Sequence, residues 1–292
     1  EPTFQCSIDY RLRAFRSRPL QTVVNCCLSR LRAFVSSVHY HQIGQFIGVL
    51  YRISHRQKSA HRETSEGDVL ALESESGKEA WRTKVSSEIL SPPRESDGII
   101  IVRTIDGKIF ALDTDSGNRL WVYDRTVPNL TLRGTSTPVI ANNLVIAGFD
   151  SGKLTALELK TGKLIWETKV AIPRGRSQLE RMVDIDSQPL ILDDIIYVTT
   201  FQANVSALSL DDGQLLWQRD ISSYSELSVD TEYLYVSDYL RNIWALDRFS
   251  GASIWKQEKL MHRKITGPAI LGDKVIVGDL EGYLHWLDKK TG

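Results

Sequence analysis

One short pattern recurs along this chain, and it dictates the kind of fold the chain can enter. Residues 152–166 read GKLTALELKTGKLIW. The first arm, Lys153 to Leu159, alternates apolar and polar side chains, Lys160-Thr161-Gly162 makes a turn, and a second arm carries Leu164 and Trp166. That is a β-hairpin, with glycine supplying the left-handed residue of a tight loop. The same pattern begins at Gly67 (GDVLALESESGKEAW), Gly107 (GKIFALDTDSGNRLW), Ala203 (ANVSALSLDDGQLLW) and Arg241 (RNIWALDRFSGASIW). A sixth copy, GYLHWLDKKTG from Gly282, reaches the last residue. The anchoring tryptophans Trp81, Trp121, Trp166, Trp217 and Trp255 lie 40, 45, 51 and 38 residues apart. Spacing in this range is the mark of a repeat architecture.

A whole unit can be followed from Thr135. Pro138 opens a strand, where a missing N–H costs no ladder bond. Asn142-Asn143 turns the chain into Leu144–Ala147, Asp150-Ser151-Gly152 turns it into the Lys153–Leu159 strand, and Gly162 turns it toward Trp166. Four short antiparallel strands per roughly 40 residues predict an all-β fold, a β-propeller of four-stranded antiparallel blades. A small residue holds one place in each third strand, at Ala71, Ala111, Ala156, Ala207 and Ala245, where neighbouring blades approach closely; the sixth copy has Trp286 there. The five repeat tryptophans are read as structural anchors, each covering the gap to an adjacent blade.

Composition changes abruptly ahead of the repeats. Residues 1–66 hold 10 Lys/Arg against 4 Asp/Glu, so the balance of 36 against 36 over the whole chain leaves 67–292 at −6. All three cysteines (Cys6, Cys26, Cys27) lie in 1–66, a stretch with no repeat and no tryptophan. The domain reading is therefore 1–66 as an unassigned segment foreign to the repeats, and 67–292 as a partial propeller. Arg11, Arg13, Arg16 and Arg18 have no evident fold to present them, so no nucleic-acid site is assigned. Nor is a signal peptide readable, and no run approaches the roughly 18 apolar residues of a membrane span.

Function on a repeat scaffold sits where the period breaks. The two long intervals contain TVPNLTLRGTST and AIPRGRSQLERMVDIDSQ. Both extra segments join the last strand of one blade to the first strand of the next, in sequential blades, so they are expected on one rim as one continuous surface. Leu130 and Leu132 flank Thr131, Arg133 offers a planar fork suited to carboxylates, and Asp184 and Asp186 flank Ile185. Three readings fit this set: a protein-binding hot spot, an internal Arg133–Asp bridge with the leucines as core, and a metal-binding D-x-D without a further ligand at suitable spacing. His262 and His285 read as isolated from each other and from an acid partner. No nucleophile motif and no cofactor or metal set can be assembled, and no enzyme is predicted.

The repeats A-L-(x)4-G-(x)3-W resemble those of quinoprotein-type propellers. The segments LTLRGTSTP, LERMVDIDSQP and GDLEGYLHWLD resemble, more narrowly, the BamB family of outer-membrane assembly lipoproteins, over about 67–292. The resemblance implies an eight-bladed propeller at the periplasmic face of the outer membrane, held by an N-terminal lipid. It implies a non-enzymatic scaffold of the β-barrel assembly (BAM) machine that binds a POTRA domain of BamA and promotes insertion of outer-membrane proteins, with unfolded clients as further partners. The family's L-x-L-R and D-x-D loops fall on Leu130, Leu132, Arg133, Asp184 and Asp186, the residues that the broken period had singled out. Cys6 lacks a lipobox, so the anchor is expected to be absent from this chain, and the resemblance implies more propeller on either side of 67–292. The alternatives are a pyrroloquinoline-quinone-dependent dehydrogenase, which needs calcium ligands and a catalytic carboxylate in the central funnel, and a sensor or adhesion propeller.

Overall fold

The computed structural model describes the backbone of 50–52 and 59–63, and in full 67–73, 76–125, 136–149, 152–172, 183–185, 187–201, 203–223 and 225–292. All of these belong to one compact unit, Gly48–Gly292. The readings made for Cys6, Cys26, Cys27 and the early arginines concern residues outside the described ones.

The described residues form strands and turns, arranged as six consecutive antiparallel sheets. Blade 1 holds β1 (Leu50–Arg52), β2 (Ser59–Glu63), β3 (Asp68–Glu73) and β4 (Glu79–Lys84). Blade 2 holds β5 (Arg94–Ser96), β6 (Ile99–Arg103), β7 (Ile109–Asp113) and β8 (Arg119–Tyr123). Blade 3 holds β9 (Val139–Ala141), β10 (Leu144–Gly148), β11 (Lys153–Glu158) and β12 (Leu164–Lys169). Blade 4 holds β13 (Leu190–Leu192), β14 (Ile195–Thr199), β15 (Val205–Ser209) and β16 (Leu215–Arg219). Blade 5 holds β17 (Ser228–Val229), β18 (Tyr233–Ser237), β19 (Ile243–Asp247) and β20 (Ser253–Gln257), and blade 6 holds β21 (Ala269–Leu271), β22 (Lys274–Gly278) and β23 (Leu284–Asp288). Each strand pairs with the next in sequence, the meander of a propeller blade.

Blade 1 begins ahead of Gly67, because β2 pairs with β3 over Ser59↔Glu73 to Glu63↔Val69 and β1 pairs with β2. Residues 50–63 carry neither the turn glycine nor the tryptophan that makes the repeat legible, which is why the sequence boundary fell later.

Middle strands are buried and outer strands are not. β6 is buried throughout, whereas β8 alternates exposed and half-buried residues. The first strands of consecutive sheets lie beside one another, β5 with β9 and β13 with β17, so they form the inner edge of the ring. The core lies between blades rather than within them. Ile99, Ile101 and Ile109 of blade 2 pack on Val145, Ala147 and Leu157 of blade 3, and Ile146, Leu154 and Ala156 of blade 3 pack on Ile196, Val198 and Leu208 of blade 4. Each apolar sheet face is thus covered by its neighbour.

A single latch repeats at every blade junction. The indole N–H of Trp81 donates to Thr114 O at 3.0 Å, Trp121 to Leu159 O at 2.9 Å, and Trp166 to Leu210 O at 3.0 Å. Trp217 donates to Arg248 O and Trp255 to Lys289 O, both at 2.8 Å. Each acceptor lies three residues before the turn glycine of the following blade. That glycine rests on the same ring: a Cβ on Gly162 would lie 2.5 Å from Trp121 Cδ2, and one on Gly213 2.4 Å from Trp166 Cε3. The turn glycines also have φ near +70°, so a side chain is disfavoured twice. Within blades 1 to 5 the tryptophan pairs across the ladder with the small residue, as Ala156↔Trp166 and Ala207↔Trp217, and a register shift follows that alanine. Burying an indole while satisfying its N–H contributes about 1 kcal/mol of net hydrogen bonding beyond the apolar area.

Candidate functional site

In a four-stranded meander, the turn between the second and third strands leaves the sheet at the same end as the linker to the next blade. The two sets are bonded together. The first turn residue donates its N–H to a carbonyl of the preceding linker, as Ile105 N to Glu88 O at 2.9 Å, Phe201 N to Asp184 O at 3.0 Å, Tyr239 N to Ser222 O at 3.0 Å and Leu280 N to Arg263 O at 3.2 Å. One rim therefore carries these described linker segments, among them Asp184 at the end of the second long interval.

Leu130, Leu132, Arg133 and Asp186 lie outside the described residues. What the structure gives is the ground from which their loops rise. The first insertion leaves blade 3's neighbour at Arg125, which donates to Glu167 (Nη1 to Oε2, 2.5 Å), while Lys153 holds the other oxygen at 2.5 Å. Burial alone would raise the Glu167 carboxyl, but hydrogen bonds from Lys153 and Arg125 outweigh it and hold the group below its ordinary range. The Arg125 guanidinium lies 4.9 Å from the centre of the Phe149 ring, and Arg103 approaches the same ring at 5.0 Å, a cation–π contact on each. The insertion re-enters at Ser136, which is fully buried.

The second insertion leaves past Val170 and Ala171, whose N–H groups both donate to Gly152 O, at 2.8 and 3.1 Å. It re-enters through Val183-Asp184-Ile185, all buried. Ile185 presses on Gly148 so closely that a Cβ there would meet its Cγ2 at 2.3 Å. Asp184 has no exposed surface. Alternation about Ile185 puts Asp184 and Asp186 on one side of an extended stretch; the structure places Asp184 in the junction between blades 3 and 4, with its carbonyl engaged by Phe201. In this arrangement Asp184 shapes the base of the loop and cannot itself be a surface contact.

The two re-entry points meet. Ser136 Oγ donates to Ser187 O at 2.8 Å, the Ser187 and Thr199 hydroxyls share a hydrogen bond of 2.6 Å, and Arg103 Nη1 donates to Ser136 O at 3.0 Å. Sequence reasoning missed this belt, although a signal was present: Ser136 and Ser187 each stand two residues before a strand-opening proline, Pro138 and Pro189.

With this geometry in view, kinship can be stated. The family model described as "Outer membrane protein assembly factor BamB" matches residues 55–257. The chain belongs to the BamB family. It is 35% identical over 224 residues to the BamB of Yersinia pestis, across 77% of this chain and 57% of that protein. It therefore spans little more than half the length of that relative. The crystal structure of BamB from Moraxella catarrhalis superposes with a TM-score of 0.76 at 28% identity, covering 82% of this chain and 72% of that one. A europium-containing methanol dehydrogenase superposes at a TM-score of 0.57 with 16% identity over 68% of this chain and 49% of that one; this likeness shows the propeller fold and nothing about chemistry.

His285 is not isolated, contrary to expectation. Its Nε2 lies 2.8 Å from Asp279 Oδ2, which also accepts from Arg263 Nη1 at 3.1 Å. The other Asp279 oxygen takes the N–H groups of Glu281 and Tyr283, both at 3.0 Å. The partnership closes a turn, since blade 5 repeats it with Asp238 accepting from Asn242 N and from the Trp244 indole. Sequence distance concealed it: the pair is six residues apart, across a β-turn. Among the described residues no group of three His, Cys, Asp or Glu side chains is placed to hold a metal.

Proposed function

We propose that this chain acts as a non-enzymatic scaffold of the outer-membrane β-barrel assembly machine, at the periplasmic face of the outer membrane. In this reading it binds a POTRA domain of the barrel subunit BamA and promotes insertion of outer-membrane proteins. Leu130, Leu132, Arg133 and Asp186 make the contact, and Asp184 holds the second loop at its buried base. Family membership supports the assembly role. The observation that carries the site is the buried Ser136–Ser187 hydrogen bond, because it fixes the feet of both insertions side by side. Two loops rooted at one point present a single pre-organised surface, which lowers the ordering cost of binding. A leucine pair beside an arginine and a carboxylate is suited to a hot spot.

The test is a binding titration of the full chain against the POTRA domains of the cognate barrel subunit, with wild type and Arg133→Glu. Saturable wild-type binding that the reversal weakens tenfold or more, about 1.4 kcal/mol, supports scaffold and site together. Undiminished binding by the variant moves the site elsewhere. A folded wild type that binds no POTRA domain sinks the reading.

A further inference from the structure

Among the described residues eight that are not glycine have positive φ, and they fall into two groups. Asp97, Asn142, Asn143, Asp193 and Asp194 occupy hairpin turns between first and second strands, where Asp and Asn tolerate the left-handed conformation. The other three are Arg241 (φ 73°), His262 (φ 69°) and Lys264 (φ 51°). All three are basic, and all three sit on the rim at the junction of blades 5 and 6. The repeat supplies its own comparison. Arg241 fills the turn position that glycine holds in blades 1, 2, 3 and 6, at Gly67, Gly107, Gly152 and Gly282, all with φ between 68° and 89°. Blade 5 keeps the glycine conformation and gives it a guanidinium.

Backbone strain of this kind persists where the surroundings over-determine it, and it gathers at sites that use it. The surroundings here are well defined. Leu260 and Ile265 are buried pegs, and between them residues 261–264 are exposed. Arg241 Nη1 donates to Ile265 O at 3.3 Å, Leu280 N donates to Arg263 O at 3.2 Å, and Arg263 is held by Asp279. Three turns are thereby fixed as one ledge. Apolar side chains stand among the basic ones: Tyr239 is 57% exposed and Leu240 44%, with Met261 beside them. Lys259 and Lys264 hold no ion pair among the described residues. Tyrosine, methionine and arginine on a rigid, projecting surface is the composition of a protein interface core.

The geometry points to a second docking surface on this ledge, one that takes an extended polypeptide segment bearing acidic and apolar side chains. Its charge is complementary to Arg241, Lys259 and Lys264, and its apolar groups would cover Tyr239, Leu240 and Met261. The ledge belongs to blades 5 and 6, apart from the two insertions, and the inference stands whichever partner those insertions take.

The experiment uses the full chain and a fluorescein-labelled short peptide of alternating leucine and glutamate, read by fluorescence anisotropy. A lysine-for-glutamate peptide and phosphatidylglycerol vesicles serve as the other arms. Saturable binding of the acidic peptide, weakened tenfold or more by Lys264→Glu and by Tyr239→Ser, supports the assignment. A second variant, His262→Gly with Lys264→Gly, separates strain from folding: it relieves two left-handed side chains, so its Tm is expected to rise while peptide affinity falls. No binding by wild type, equal binding of the lysine peptide, or binding to the vesicles alone overturns the proposal. So does a glycine variant with raised Tm and unchanged affinity.

Discussion

Ser136 Oγ donates to the carbonyl oxygen of Ser187 at 2.8 Å, and both residues are buried at the inner edge of the ring. The bond crosses from the end of one insertion to the end of the other, 51 residues apart in sequence. Ser136→Ala removes the donor and leaves a buried carbonyl unpaired, a loss of about 1–3 kcal/mol. Urea unfolding should show the midpoint falling with an unchanged slope. If the two loops form one docking surface, the same variant should also weaken POTRA binding, although Ser136 is too deep to touch a partner. Weakened stability with undiminished binding would show that the loops do not depend on a common foot.

The latch between blades predicts an unequal response among chemically identical substitutions. Gly77 and Gly162 occupy the same turn position with φ of 68° and 69°, yet among the described residues a Cβ on Gly77 meets nothing within 4 Å while one on Gly162 runs into the Trp121 ring at 2.5 Å. Gly77→Ala should therefore cost only the left-handed penalty of about 1–2 kcal/mol. Gly162→Ala should cost roughly 1–3 kcal/mol more, because the indole must shift and its hydrogen bond to Leu159 O stretches. Denaturant titration of the two variants reads the difference directly. Equal losses would mean that conformation alone selects glycine at this turn.

Much of this fold is legible in the sequence because the latch needs two residue types at fixed spacing, and both recur. The propeller, the strand order within a blade and the bulk of the repeat boundaries follow from Trp81 through Trp255 and their glycines. What the sequence conceals is the partner across the junction. Gly162 is readable as a turn residue, but its second duty against Trp121 depends on a neighbour 41 residues away. Blade 1 shows the reverse failing: β1 and β2 are real strands without a tryptophan or turn glycine to announce them. At the candidate site, the broken period pointed to two intervals whose described ends, Ser136 and Ser187, are bonded together. Alternation about Ile185 could not give the burial of Asp184, because a segment wedged between two blades can be buried on both sides.

That burial makes Asp184 and Arg133 separable. Truncating a side chain with no exposed surface empties space in the junction and strands whatever polar group it served, so Asp184→Ala should lower stability by about 1–3 kcal/mol. Arg133→Glu, proposed as a surface contact, should leave the stability within about 0.5 kcal/mol of wild type while weakening the proposed partner binding tenfold or more. Thermal unfolding and the POTRA titration, run on both variants, give the two columns needed. Loss of stability in Arg133→Glu comparable to that of Asp184→Ala would favour an internal bridge over a docking role.

The turn between β22 and β23 carries a pH dependence with a definite sign. The hydrogen bond with His285, aided by the Tyr283 N–H and Arg263, lowers the Asp279 carboxyl from its ordinary 3.8 to about 2. Folded Asp279 thus stays ionised at a pH where the unfolded chain has already taken up a proton. Between those two values protonation favours the unfolded state, so the contribution is fully present above about pH 4 and is lost as the pH falls through about 2. Asp279→Asn should flatten that part of the acid limb without altering its shape at higher carboxylate pKa values. His285→Gln should act in the same direction by removing the leading partner of the carboxylate. Stability measured by urea unfolding from pH 5 downward, in steps across the window, checks both; a wild-type limb that the two substitutions leave unchanged would assign the acid sensitivity to other carboxylates, such as Glu167 and Asp230, which are also held below their ordinary range.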